Sequence, residues 1–94
     1  MVQPYIDNPL LLEKKKFDLR LYILVSSLDP YICYLNEEGL ARFCAEDYQP
    51  PNKENIKNPY IHLTNYSLNK NHEKFVPTEG IFGKGSKRCL KTLY

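Results

Sequence analysis

With 94 residues, 43% of them apolar and eight tyrosines supplying most of the aromatic share, the chain has room for one small domain or one lobe of a larger one, and little for a self-sufficient core. The net charge of +2 comes from mixed signs along most of the chain, so the overall field selects no partner class. The exception is the basic end Lys84, Lys87, Arg88 and Lys91, suited to an acidic or phosphate-bearing ligand. Cys33, Cys44 and Cys89 form no Cys-x-x-Cys pair, which speaks against a disulfide framework or a zinc site and for a reducing compartment. Neither a signal peptide nor a run of membrane-spanning length is present, so a soluble, intracellular, monomeric protein is expected, with neither a membrane nor a nucleic acid as partner.

Residues 2–6 are extended in character, and Pro4 makes them an edge or linker rather than a central strand. Asp7-Asn8-Pro9 marks a turn. After the basic run Lys14-Lys15-Lys16, residues 17–26 alternate. Phe17, Leu19, Leu21, Ile23 and Val25 face one way, and Asp18, Arg20, Tyr22 and Leu24 the other, which predicts one long strand. Leu28-Asp29-Pro30 ends it, residues 31–35 form a second strand, and Asn36-Glu37-Glu38-Gly39 turns the chain into a third over 40–44, an antiparallel meander. Residues 47–58, with Pro50 and Pro51, read as an exposed loop, residues 60–63 as a short extended piece, and 71–85 as an aperiodic, mobile stretch. Ser86 is placed to cap a helix beginning at Lys87.

Three constellations carry possible chemistry. On a strand, Lys16, Asp18 and Arg20 form a row of plus, minus, plus on one face. The row suits a polyanion, with the carboxylate orienting a lysine or receiving a ribose hydroxyl; a solvated face with two weak ion pairs fits the same spacing. Arg42 shares its strand phase with Leu40 and Cys44, and needs an anionic partner if buried, while Phe43 on the other phase reads as core. The polar run from His62 to Lys70 is flanked by Leu63 and Leu68 as anchors. Within it Asn65 could ligand a metal-bound phosphate and Ser67 and Lys70 a carboxylate, and capping of a following turn explains the same residues. Residues 80–86 fail as a phosphate loop for want of the lysine before Ser86, match the four-residue glycine loop of KH domains only weakly, and read best as a hinge. Asn65-Tyr66-Ser67 is a glycosylation acceptor only on a secretory route.

Four ordered blocks resemble the tubulin–tyrosine ligase-like family: Tyr5-Ile6-Asp7-Asn8-Pro9-Leu10-Leu11, Lys16-Phe17-Asp18-Leu19-Arg20, Glu38-Gly39-Leu40-Ala41-Arg42-Phe43 and His62-Leu63-Thr64-Asn65-Tyr66-Ser67. The ending Tyr66-Ser67-Leu68-Asn69-Lys70 and the later Gly85-Ser86-Lys87-Arg88 look most like the glutamate-adding members. The resemblance implies an α+β fragment of an ATP-grasp fold, mainly antiparallel strands with a C-terminal helix start, spanning residues 1–94 as an internal portion of the domain. It further implies an ATP- and magnesium-dependent ligase joining free glutamate to glutamate side chains of tubulin C-terminal tails. Such an enzyme would act as a cytoplasmic monomer on microtubules, including those of cilia or basal bodies.

By motif, Gln3, Pro4, Tyr5 and Ile6 resemble the adenine-contacting hinge, Lys16 and Asp18 the nucleotide-binding pair, and Thr64 with Asn65 a further ATP contact. Arg20 and Arg42 would serve the reaction centre, and Arg42, Tyr66, Ser67 and Lys87 would hold the incoming glutamate, with Lys70 an additional contact. Pro4 departs from the charged or apolar residue usual there. The family's Glu-x-Asn magnesium site has no match, Glu54-Asn55 having the wrong spacing, so the magnesium ligands and the upstream phosphate-binding lysines are expected elsewhere and the 94 residues are expected to be inactive alone. The alternative is a non-catalytic product that binds microtubules or nucleotide through its basic end.

Overall fold

The computed structural model describes residues 1–77 and 85–93. Its main element is a four-stranded antiparallel sheet in the order β1-β2-β5-β6, from β1 (Leu11–Leu12), β2 (Lys15–Arg20), β5 (Leu40–Phe43) and β6 (Lys87–Cys89). The segment between β2 and β5 is a separate antiparallel pair, β3 (Ile23–Leu28) with β4 (Tyr31–Leu35). Two one-turn helices, α1 (Pro59–His62) and α2 (Tyr66–Asn69), precede β6, and a 3₁₀ turn over Leu90–Thr92 follows it. The fold is therefore mainly antiparallel β with little helix, as expected.

The expected long strand over 17–26 is two strands. β2 stays paired with β5 up to Arg20↔Leu40, and β3 resumes pairing at Ile23↔Leu35. Between these pairs Leu21 and Tyr22 face the four residues 36–39, so one register cannot continue. Asn36 absorbs the surplus, its Oδ1 accepting from the Glu38 amide at 2.8 Å while its own amide donates to Tyr22 O at 2.9 Å. The expected meander is in consequence a sheet with an inserted hairpin. Gly39 is fixed by close approach, since a Cβ there would stand 2.6 Å from a Leu90 methyl and 2.9 Å from Arg20 O.

The β1–β2 turn is formed by Glu13 and Lys14, both at positive φ (52° and 63°). Non-glycine residues adopt this region at a cost. A tertiary contact stabilises it here: Arg88 on β6 grips the Glu13 carboxylate through two hydrogen bonds of 2.8 and 2.7 Å.

Two further expectations are corrected. The extended piece over 60–63 is helix α1, because Asn58 caps it by accepting from the Tyr60 amide at 3.0 Å and Pro59 presets the first turn. The helix starting at Lys87 is strand β6, since its backbone completes the free edge of β5 through Leu40↔Cys89, Ala41↔Arg88 and Arg42↔Lys87. Ser86 Oγ accepts from the Val76 amide instead of capping. Residues 78–84, which include most of the expected glycine hinge and about half of the stretch expected to be mobile, lie outside the described residues.

Among the described residues the buried apolar ones are few: Ala41, Phe43, Cys44, Ala45 and Ile61. Phe43 carries most of this core, only 2% exposed, stacked on Phe17 at 5.7 Å and covered on its ring by the Arg88 guanidinium at 4.3 Å. Phe43→Ala is expected to cost about 3 kcal/mol, read as a lowered urea midpoint in an unfolding curve followed by tyrosine fluorescence. Val76→Ala, at an exposed side chain, is expected to change stability by less than about 0.5 kcal/mol.

Candidate functional site

Alternation along the strands sorts the side chains onto two faces. Phe17, Ala41, Phe43 and Arg88 share the core face, consistent with the pairings Phe17↔Phe43 and Ala41↔Arg88. The other face carries Lys16, Asp18 and Arg20 from β2, Arg42 opposite Asp18, and Lys87 opposite Arg42. The row expected on β2 is thus extended across three strands.

Asp18 and Arg42 are the centre of that face. Arg42 Nε donates to Asp18 Oδ1 at 2.9 Å and Nη2 to Oδ2, a bidentate pair. Burial pushes the Asp18 carboxyl up, but hydrogen bonds from Arg42 and Thr64 and the charges of Arg42 and Arg20 outweigh it and hold the group below the ordinary carboxylate range. The Asp18 hydrogen bond raises the Arg42 guanidinium in turn. A guanidinium has five N–H donors, and among the described residues Arg42 gives two of them to Asp18.

Lys16 turns toward the N-terminal segment. Its ammonium donates to His62 O at 3.0 Å and to the Tyr5 hydroxyl at 3.3 Å, and it sits over the Tyr5 ring at 4.3 Å. Here lies a pocket of about 540 Å³ whose lining includes Gln3, Pro4, Tyr5, Ile6, Lys16 and Phe17, a volume in the range of small-molecule sites. Aliphatic, aromatic and amide groups with one ammonium suit a flat heterocycle bearing negative charge, so these residues fit a nucleotide. Among the described residues no group of three His, Cys, Asp or Glu side chains is placed to hold a metal ion.

The polar run expected to be anchored by leucines is anchored otherwise. Leu63 and Leu68 are 45% and 37% exposed, whereas His62 and Asn69 are buried, Asn69 to 1%. Asn69 Oδ1 accepts from the Ala45 amide at 2.8 Å, and its Nδ2 donates to Leu63 O at 2.8 Å and Asn65 O at 2.9 Å. This clamp holds the backbone on both sides of Thr64 and brings the Thr64 hydroxyl to Asp18. Asn65 takes the N-cap position of α2 without a side-chain capping bond, and Ser67 lies exposed in that helix. The Tyr66 ring meets Phe75 edge-on at 5.7 Å, with the ammonium groups of Lys87 at 5.1 Å and Lys70 at 6.0 Å.

Sequence reasoning missed Asn55, Asn69 and the clamping role of His62. The supposed exposed loop 47–58 contains buried Asn55, whose Oδ1 accepts from the Asn52 amide at 2.9 Å while Asn52 Oδ1 accepts from the Glu54 and Asn55 amides, each at 2.8 Å. The reciprocal spacing Asn52-x-x-Asn55 was the readable signal. Of the basic end, Arg88 pairs with Glu13 and Lys91 with Glu38, and Lys84 lies outside the described residues. No helix among the described residues is long and apolar enough to cross a membrane.

The cationic sheet face adjoins the pocket at the N-terminal segment through Lys16. The chain matches the model of the tubulin-tyrosine ligase family over residues 1–94 and belongs to that family. It is 50% identical over 93 residues to Tubulin polyglutamylase TTLL11 of Mus musculus, an alignment covering 99% of this chain and 13% of that protein. To Tubulin polyglutamylase TTLL7 of Homo sapiens it is 52% identical over 91 residues, covering 97% and 10%. To Tubulin polyglutamylase ttll-11 of Caenorhabditis elegans it is 46% identical over 97 residues, covering 100% and 14%. The chain thus spans 10 to 14% of the length of these relatives.

The depressed Asp18 pKa makes an acid prediction. A carboxyl lower in the folded than in the unfolded state adds stability above its unfolded value of about 3.9, and that stability is lost as pH falls through the folded value. The urea midpoint is expected to fall between about pH 5 and pH 2, and Asp18→Asn is expected to flatten that part of the profile while lowering the midpoint near neutrality.

Proposed function

We propose that these residues form one wall of the active site of an ATP- and magnesium-dependent ligase of ATP-grasp type that adds glutamate to glutamate side chains of tubulin tails. The observation that carries the reading is the single face on which Lys16, Asp18, Arg20, Arg42 and Lys87 stand together, next to the pocket lined by Gln3, Pro4, Tyr5 and Ile6. The polyglutamylase names of relatives about half identical to the chain support it.

In this reading the pocket receives the adenine against Pro4, Tyr5 and Ile6, with Lys16 at its edge and Thr64 and Asn65 beyond Asp18. Bound nucleotide supplies the phosphoryl group that activates the acceptor carboxylate toward the amine of free glutamate. The chain's own residues bind and orient. Asp18 fixes the plane of Arg42, whose guanidinium faces an incoming carboxylate. Arg20 and Lys87 add positive charge for substrate carboxylates and phosphates, and Tyr66 and Ser67 border the place of the incoming glutamate. Preorganised cations of this kind stabilise charge without reorganising during the reaction. The magnesium ligands belong to other parts of the enzyme. Its place of work is the cytoplasm, as a monomer on microtubules, including those of cilia and basal bodies.

The test is a chimera in which this chain replaces the matching segment of the mouse TTLL11 enzyme. It is expected to incorporate labelled glutamate into tubulin, with Arg42→Ala lowering the rate on the order of 100-fold. A soluble, nucleotide-binding chimera that transfers glycine or tyrosine instead, or an Arg42→Ala variant of full activity, would reject the assignment.

A further inference from the structure

His62 is buried, yet both its ring nitrogens are engaged. Nε2 lies 3.3 Å from Asn55 Oδ1 and Nδ1 lies 2.9 Å from the Tyr5 hydroxyl. The orientation of the Asn55 amide is set independently, because its Nδ2 donates to Pro50 O at 3.0 Å and its Oδ1 accepts from the Asn52 amide at 2.9 Å. Only an acceptor therefore faces Nε2, so Nε2 carries the proton and Nδ1 is the acceptor. The Tyr5 hydroxyl donates to Nδ1 and receives the Lys16 ammonium at 3.3 Å. The hydrogen bonds run in one direction from Lys16 through Tyr5 to His62, and His62 donates onward to Asn55.

The same residue holds Lys16 a second way, through its backbone carbonyl at 3.0 Å. The imidazole also stands edge-on to Tyr5 at 5.6 Å and to Tyr48 at 6.2 Å, while Tyr48 is tied to the N-terminal segment by donating to Asp7 O at 2.7 Å. Tyr5 belongs to a segment without secondary structure, and its side chain is itself half-exposed. Its link to His62 is a fixed point for that segment.

We propose that His62 is a positioning residue for the nucleotide pocket: with Nε2–H directed to Asn55 and Nδ1 to Tyr5, it fixes the Tyr5 phenol and, with it, the Lys16 ammonium at the pocket edge. The proposal rests on reading that pocket as the nucleotide site. It assigns His62 no contact with the reacting atoms.

Two measurements test it. ¹⁵N NMR of the chain labelled at histidine is expected to show the Nε2–H tautomer for His62, with the Nδ1 resonance moved by Tyr5→Phe; an Nδ1–H tautomer would overturn the relay whatever the pocket binds. In the chimera, Tyr5→Phe and His62→Ala are each expected to raise the KM for ATP about tenfold, the effect of one lost hydrogen bond, with kcat within about twofold. Tyr5→Phe removes a single hydroxyl, so its effect does not depend on whether the alanine variant folds. His62→Asn, which keeps an acceptor near the Nδ1 position, is expected to recover most of the affinity, and His62→Gln, whose amide sits nearer Nε2, to recover little. Equal defects in the two amide variants, or a fall in kcat at unchanged KM, would overturn the proposal. A wild-type chimera that binds no ATP while the tautomer is as expected would remove the nucleotide reading and leave only the relay.

Discussion

The side-chain amide of Asn69 holds the candidate site in place. It is buried and makes hydrogen bonds to three backbone groups, at Ala45, Leu63 and Asn65, and so joins the polar run to the end of β5, where Cys44 Sγ on Leu63 O and the Glu46 amide on Tyr60 O act in the same sense. Hydrophobic packing alone sets positions loosely when the buried apolar set is as small as Ala41, Phe43, Cys44, Ala45 and Ile61. Buried amide bonds are directional, and leaving one unmade costs about 1–3 kcal/mol, so a shift of one residue in the polar run would leave several groups unpaired. Lys15 reinforces the same point by donating to Ala45 O at 2.6 Å. The hydroxyl of Thr64 reaches Asp18 because the backbone around it has nowhere else to go.

Once the run is fixed, strand alternation does the rest. Among the described strand residues, Lys16, Arg20, Arg42 and Lys87 share one face with one carboxylate, Asp18, a local excess of cations in a chain that carries only +2 overall. A part-buried ion pair such as Asp18–Arg42 adds a modest amount to stability. Its consequence is geometric, since two parallel hydrogen bonds hold a planar guanidinium in one orientation, and a free arginine would have to be immobilised when a ligand arrives.

Much of this was legible, and what was not has identifiable causes. The strand over 31–35 and the face shared by Lys16, Asp18 and Arg20 follow from period-two alternation alone, and the structure has both. The break at Leu21 and Tyr22 did not show, because their own side chains keep the alternation and the interruption comes from the surplus residues 36–39 on the opposite strand. The β1–β2 turn was hidden because Glu13 and Lys14 are poor turn formers by type, and the Arg88 contact that compensates is distant in sequence. Strand β6 was read as helix because Ser86 is a good cap in isolation, while the free edge of β5 is a tertiary fact. The sequence offers Leu63 and Leu68 as anchors of the polar run, whereas buried Asn69 and His62 hold it, because buried polar groups with complete hydrogen bonding serve as anchors equally well.

The same bonding limits what chemistry this wall can perform. Burial pushes the Cys44 thiol up to about 11, opposed only in part by the nearby charges of Lys16 and Lys15, and its Sγ donates to Leu63 O at 3.3 Å. A thiol so held stays protonated near neutral pH and is a poor nucleophile. Both His62 nitrogens are committed to Asn55 and Tyr5, and those of His72 to Glu46 and the Lys74 amide, which engages both examples of the residue type best suited to proton transfer. Asp18, the acid at the centre of the face, is kept ionised by Arg42 and Thr64 and is a poor base for that reason. What these residues offer a reaction is fixed positive charge and a shaped pocket, the contribution that transfer between anionic groups demands most.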